Sequence, residues 1–197
     1  ELGELHIIKT VVSPGRPPQH YQIAHKVRDI CIDLGIAPEM FAIDSTGEGG
    51  ALASIIKEEW SSGIMEVEFG GRPSERPISP NDKKPANEEY VNKVSELWFW
   101  FRTLVRNGMI RGLDKETMVE FCQRRYEMRG VLKMVEPKPK MKERTKKSPD
   151  LADATVVLCE LFREHGSLTT STKSGDRNKR WQDVLKKYNV PADYAAA

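Results

Sequence analysis

Met40-Phe41-Ala42-Ile43-Asp44-Ser45-Thr46-Gly47-Glu48-Gly49-Gly50 is the stretch on which the fold turns. Apolar residues run up to an acid, and small polar residues follow at once. The apolar part predicts a short buried strand, and Ser45 to Gly50 a tight turn. Leu52, Ile55, Ile56 and Trp60 then recur at helical spacing until Ser61-Ser62-Gly63, and Ile64 to Phe69 reads as a second strand. Strand, helix and strand within about thirty residues make a βαβ unit, whose right-handed crossover implies a parallel pair. Open α/β sheets hold their ligands at the carboxyl ends of strands. Asp44 stands at such an end.

Upstream, Leu5 to Val12 is a β-rich run closed by Ser13-Pro14-Gly15, and Ile23, Ala24, Val27, Ile30, Cys31 and Leu34 mark a helix ended by Gly35. Downstream, Gly70 to Asn87 reads as a long loop rich in Gly, Pro and charge. Asn87 is the expected cap of a helix whose apolar face runs from Tyr90 to Val105. Its Leu97 to Phe101 segment packs Trp and Phe together at core spacing rather than as a base-stacking platform. Asp114 opens a helix expected to reach about Met128, and Val131 to Val135 a strand that Pro137 ends. Ser148-Pro149 predicts a helix start, with Ser as N-cap and Pro in the first turn; that helix runs to about Glu164. Residues 166–175 read as a Ser/Thr/Gly linker and 176–197 as a basic tail helix. The domain is therefore expected over 1–165.

The chain has 197 residues, 39% hydrophobic and 30% charged, which is enough for one substantial core. Net charge is only +2, but the charge is clustered. Residues 133–147 hold seven Lys or Arg against two Glu, and 173–187 hold six against two Asp. Such runs suit phosphate contacts as well as solvated faces. Cys31, Cys122 and Cys159 form no CxxC pair, so a disulfide framework or zinc ribbon is unsupported. Cys31 and Cys159 fall among apolar residues and read as reduced core positions. No membrane span or signal peptide is predicted.

The acids carry the chemistry. Asp44 ends a strand; Asp150 and Asp153, three apart, share a face of the first turn of a helix. Mg²⁺ and Mn²⁺ prefer oxygen ligands, and a pair of such ions can serve phosphodiester cleavage. Each acid also has an ordinary reading. Asp44 can close its own turn, and Asp150 can answer the helix dipole. Asp153 lies among residues expected to be buried, where an unpaired carboxylate is costly. The Gly47-Glu48-Gly49-Gly50 run lacks the Lys-Ser/Thr of a P-loop, and its expected role is close backbone approach in a tight turn.

In order and spacing these pieces resemble the C-terminal nuclease domain of the large terminase subunit of tailed bacteriophages, in the ribonuclease H-like superfamily. Phe41 to Gly50 matches its strand-turn, Glu96-Leu97-Trp98 through Leu104 to Gly108-Met109-Ile110 its middle segment, and Glu136-Pro137-Lys138 onward to Ser148-Pro149-Asp150-Leu151-Ala152-Asp153-Ala154 its last and most specific element. The resemblance implies a mixed β-sheet flanked by helices, here lacking its first strand or strands. It implies a Mg²⁺- or Mn²⁺-dependent endonuclease with a two-metal site, cutting concatemeric double-stranded DNA during packaging in the host cell cytoplasm. Asp44, Asp150 and Asp153 would then be the metal-binding and catalytic acids. Lys138 and Lys142 would lie near the scissile phosphate, and Lys140, Arg144, Lys146 and Lys147 complete the expected DNA-contacting run. An upstream ATPase domain, a portal protein and a small terminase subunit are the implied partners. The superfamily's first acid lies on an opening strand, and the resemblance places it upstream of Glu1 or leaves the site incomplete.

A catalytically silent module of the same fold, binding DNA or docking to a motor or portal, is the competing reading. An actin-like or sugar-kinase-like nucleotide fold would need a second Gly-rich phosphate loop, which the sequence lacks.

Overall fold

The computed structural model describes residues 18–79 and 82–165. Leu5 to Val12, the linker and the basic tail helix lie outside the described residues. The first helix, α1 (Gln19–Asp33), ends as its sequence predicts. Gly35 adopts φ +66°, and Ile36 N–H reaches back to the Cys31 carbonyl at 2.8 Å, closing the helix end in a left-handed turn.

Strand β1 (Ala42–Asp44), helix α2 (Glu48–Glu59) and strand β2 (Met65–Val67) form the βαβ unit. The strands are parallel, with Ala42 opposite Met65 and Asp44 opposite Val67. β1 lies between two apolar layers. Phe41 and Ile43 pack with Val27 of α1 and Leu52, Ile55, Ile56 and Trp60 around Ala24 and Ile64. Ala42 packs instead on the larger core. Successive strand side chains point to opposite faces, so Asp44 shares the face of Ala42, against the layer that contains the last helix.

That larger core is built on α3 (Lys93–Arg106), whose Leu97, Trp98, Trp100, Phe101 and Leu104 are buried. Phe101 stacks on Phe121 with centroids 4.0 Å apart. The aromatic run is core, as its spacing predicts. The cap of α3 is Asn92, not Asn87: Asn92 Oδ1 accepts from Ser95 N–H at 3.2 Å, while Ala86–Glu88 forms a separate 3₁₀ turn. Both Asn residues carry a suitable side chain, and the register of Val94 and Leu97 on the core selects the later one.

α4 (Lys115–Gln123) starts at Asp114 as expected but stops five residues short of Met128. Tyr126–Arg129 is a strand, β3, paired antiparallel with β4 (Leu132–Val135) around Gly130-Val131. Gly130 takes φ +61°, which a two-residue hairpin turn requires. The basic run after Pro137 is helical, α5 (Lys138–Thr145), anchored by fully buried Met141. α6 (Asp150–Glu164) packs on α3, α4 and β1. Its cap position is Pro149 rather than Ser148; the Ser148 hydroxyl donates to Asp150 Oδ1 at 2.7 Å instead. Among the described residues no helix is long and apolar enough to cross a membrane.

Candidate metal and phosphate site

The carboxyl end of β1 and the first turns of α6 bound a cleft of about 460 Å³. Asp44, Lys138, Asp150 and Asp153 supply its charged lining; Ala42, Val157, Leu158 and Leu161 are among its apolar walls. The three acids singled out from the sequence therefore line one cleft, although about a hundred residues separate Asp44 from the others.

Asp44 is set by its turn. Its Oδ1 accepts from Thr46 N–H at 3.0 Å, and Thr46 Oγ1 accepts from Phe69 N–H at 2.9 Å, tying the turn to the segment just after β2. The turn-closing role and the cleft position are thus both real. Gly47 has φ +62°, and a Cβ on Gly49 would meet the Asp44 carbonyl oxygen at 2.0 Å. The glycines serve close backbone approach, as read from the sequence.

Asp153 is the most enclosed of the acids, 4% exposed. Its Oδ1 accepts from Trp98 Nε1 and from Arg124 Nη1, each at 2.9 Å. Lys138 Nζ lies 2.9 Å from Oδ2, an ion-pair contact whose angles fall short of a hydrogen bond. The Arg124 side chain is itself only 3% exposed. Burial pulls its guanidinium below the usual arginine range, against the opposing charge of Asp153. Glu120 of α4 accepts the Ala152 N–H at 2.8 Å, capping α6 from outside. Burial pushes the Glu120 carboxyl up, and the charges of Asp150 and Asp153 add to the rise.

Trp98, Glu120 and Arg124 are contributors that sequence reading missed. Trp98 was visible only as a core aromatic, and nothing in the sequence around Arg124 links it to Asp153.

Of the basic run, only Lys138 lines the cleft. Arg144 is engaged by Glu136, with Nη2–Oε2 at 2.5 Å, and by the Gln123 carbonyl at 2.7 Å. Hydrogen bonds from Arg144 pull the Glu136 carboxyl below its ordinary range. Lys140 is exposed and 3.4 Å from Glu127, while Lys142, Lys146 and Lys147 are exposed with no ion pair to another described residue. Among the described residues no group of three or more His, Cys, Asp or Glu is placed to hold a metal ion.

No family model matches the sequence, and comparison with curated protein sequences finds no match. Solved structures do match. The nuclease domain of the large terminase subunit gp2 of bacterial virus Sf6 superposes with a TM-score of 0.53 at 19% identity, covering 70% of this chain and 71% of that one. A point mutant of that domain with manganese and beta-thujaplicinol gives 0.51 at 18% identity over 73% and 74%. A mutant with calcium gives 0.53 at 17% over 70% and 71%. The mixed α/β architecture, with its βαβ unit and α6 against β1, is the fold of the nuclease domain of a bacteriophage large terminase subunit.

Proposed function

We propose that the chain is a divalent-metal-dependent endonuclease that cuts concatemeric double-stranded viral DNA during genome packaging. The observation that carries this reading is the cleft itself, which Asp44 at the end of β1, Asp150 and Asp153 at the start of α6, and Lys138 all line. The donor set suits Mg²⁺ or Mn²⁺, because the acids lining the cleft offer hard oxygen atoms and no thiol or imidazole. The Oδ2 of Asp153 is buried, and a divalent cation there would replace its contact with Lys138 Nζ at 2.9 Å. Asp44 and Asp153 are the residues to hold the ions, with Asp150 as companion.

A bound ion pair would supply an activated water and stabilise the leaving oxygen. The rest of the work falls to the chain. Asp44 is fixed by its turn, Asp153 by the core behind it, and Lys138 brings positive charge to an entering phosphate. Exposed Lys140, Lys142, Lys146 and Lys147 draw the DNA backbone by counterion release. Arg144 braces α5, which carries Lys140 and Lys142, through Glu136. In this reading the chain works with an upstream ATPase domain, a portal protein and a small terminase subunit in the host cytoplasm.

The test is nicking of supercoiled plasmid with Mn²⁺. Cleavage by the wild type that disappears in Asp44→Asn and Asp153→Asn supports the reading; equal cleavage by the variants shows the assignment wrong. One observation favours a silent DNA-binding or docking module instead: Asp153 already has Arg124 and Lys138 as cationic partners. DNA binding by a wild type that never nicks would support that alternative.

A further inference from the structure

Both donors from the core reach the same oxygen of Asp153. Trp98 Nε1 and Arg124 Nη1 bond to Oδ1, while Oδ2 lies beside Lys138. Charge neutralisation alone does not call for this arrangement. Lys138 already gives Asp153 a cation, yet a second buried cation and a neutral indole donor converge on the other oxygen. The donors are themselves immobilised. Arg124 Nε donates to the Glu136 carbonyl at 2.9 Å, and its guanidinium lies 4.5 Å over the Trp98 ring. The indole packs against Phe121 at 4.8 Å. Rotating this carboxylate to exchange its oxygens would break both bonds to Oδ1.

We propose that Trp98 and Arg124 form a clamp that positions Asp153, so that Oδ2 is the oxygen offered to a divalent cation in the cleft. The clamp rests on the nuclease reading above. It draws on α3 and on the link between α4 and β3, and so ties the orientation of one acid on α6 to the folding of three elements. Groups that orient a metal's ligands commonly account for about 10–100-fold in metal affinity.

The two clamp members differ in what they can prove. Removing Arg124 also removes a positive charge that repels the incoming cation, so charge and orientation act in opposite directions. Trp98 is neutral, so losing its N–H leaves the net charge of the site unchanged. The decisive variant replaces Trp98 with benzothienylalanine, which keeps the shape of the ring and substitutes sulfur for N–H. Trp98→Phe and the charge-preserving Arg124→Lys accompany it. Mn²⁺ binding to the full chain is followed by electron paramagnetic resonance, with thermal melting as a control. The clamp predicts Mn²⁺ affinity about tenfold weaker in the sulfur isostere and in Arg124→Lys, with the isostere's melting temperature near that of the wild type. Unchanged affinity in both overturns the clamp. If Asp153→Asn then loses Mn²⁺, the nuclease reading survives that failure. A wild type that binds no Mn²⁺ overturns the clamp and the nuclease reading together.

Discussion

Gly49 and Asp44 show how little room the site leaves at the residue scale. A Cβ at 49 would sit 2.0 Å from the Asp44 carbonyl oxygen, with backbone and not a flexible side chain as the obstacle. Gly49→Ala must therefore push β1 and α2 apart. Overpacking of this kind costs about 1–3 kcal/mol, and the displaced strand carries the acid with it. The expected result is a lower urea midpoint together with loss of plasmid nicking. Gly35→Ala is the contrast. Its Cβ would meet nothing within 4 Å, and only its φ of +66° is strained. That variant should lose about 1 kcal/mol and, on the nuclease reading, nick plasmid as the wild type does.

At the scale of elements, α6 is held at its first turn by a neighbouring helix. The Glu120 carboxylate caps Ala152 N–H but does so where burial disfavours its charge. Its pKa in the folded state lies above the ordinary 4.5. The stability it contributes is therefore full at low pH and is lost as pH rises through the folded value. Gln keeps an acceptor for Ala152 and carries no charge. Glu120→Gln should melt slightly above the wild type at pH 7, within about 0.5 kcal/mol, or roughly 1–2 °C. The difference should shrink toward pH 4, which melting curves across that range would check. An opposite sign at pH 7 would mean that the charged cap outweighs the burial.

Across the whole molecule, one buried cluster joins the long loop after β2 to both core helices. Glu96 is 0% exposed and accepts from Ser74 N–H and Ser74 Oγ–H, each at 2.7 Å. Arg163 of α6 donates to it at 2.7 Å and Lys93 lies 3.3 Å away; Glu160 pairs with both cations. Arg163 also lies 4.6 Å over the Trp100 ring. Breaking such a cluster from one side strands its partners in the core. Glu96→Ala should destabilise the fold by about 3–5 kcal/mol, read from urea unfolding. Burial pushes the Glu96 carboxyl up, but Lys93, Arg163 and Ser74 together hold it below its ordinary 4.5. Its contribution is therefore present above about pH 4.5 and lost as pH falls through the folded value. Urea midpoints of the wild type should drop between pH 5 and 3, and the Glu96→Ala midpoints should drop less.

Local chemistry was enough to reveal the βαβ unit, the helix stop at Gly35, the start at Asp114 and the aromatic core of α3, because each depends on a short pattern of apolar spacing and backbone-permissive residues. It was not enough for the β3–β4 hairpin. Tyr126 to Arg129 continues the apolar and charged mixture of α4, and only pairing with Leu132–Val135 makes it a strand. Between Asn87 and Asn92, too, the choice of cap depended on how α3 sits on the core. The acids Asp44, Asp150 and Asp153 were nameable from strand end, helix start and spacing. What holds Asp153 was not, since Trp98 and Arg124 are 55 and 29 residues away from it in the chain. The direction a buried carboxylate faces is set by the donors around it, and those donors meet only when α3, α4 and α6 are packed.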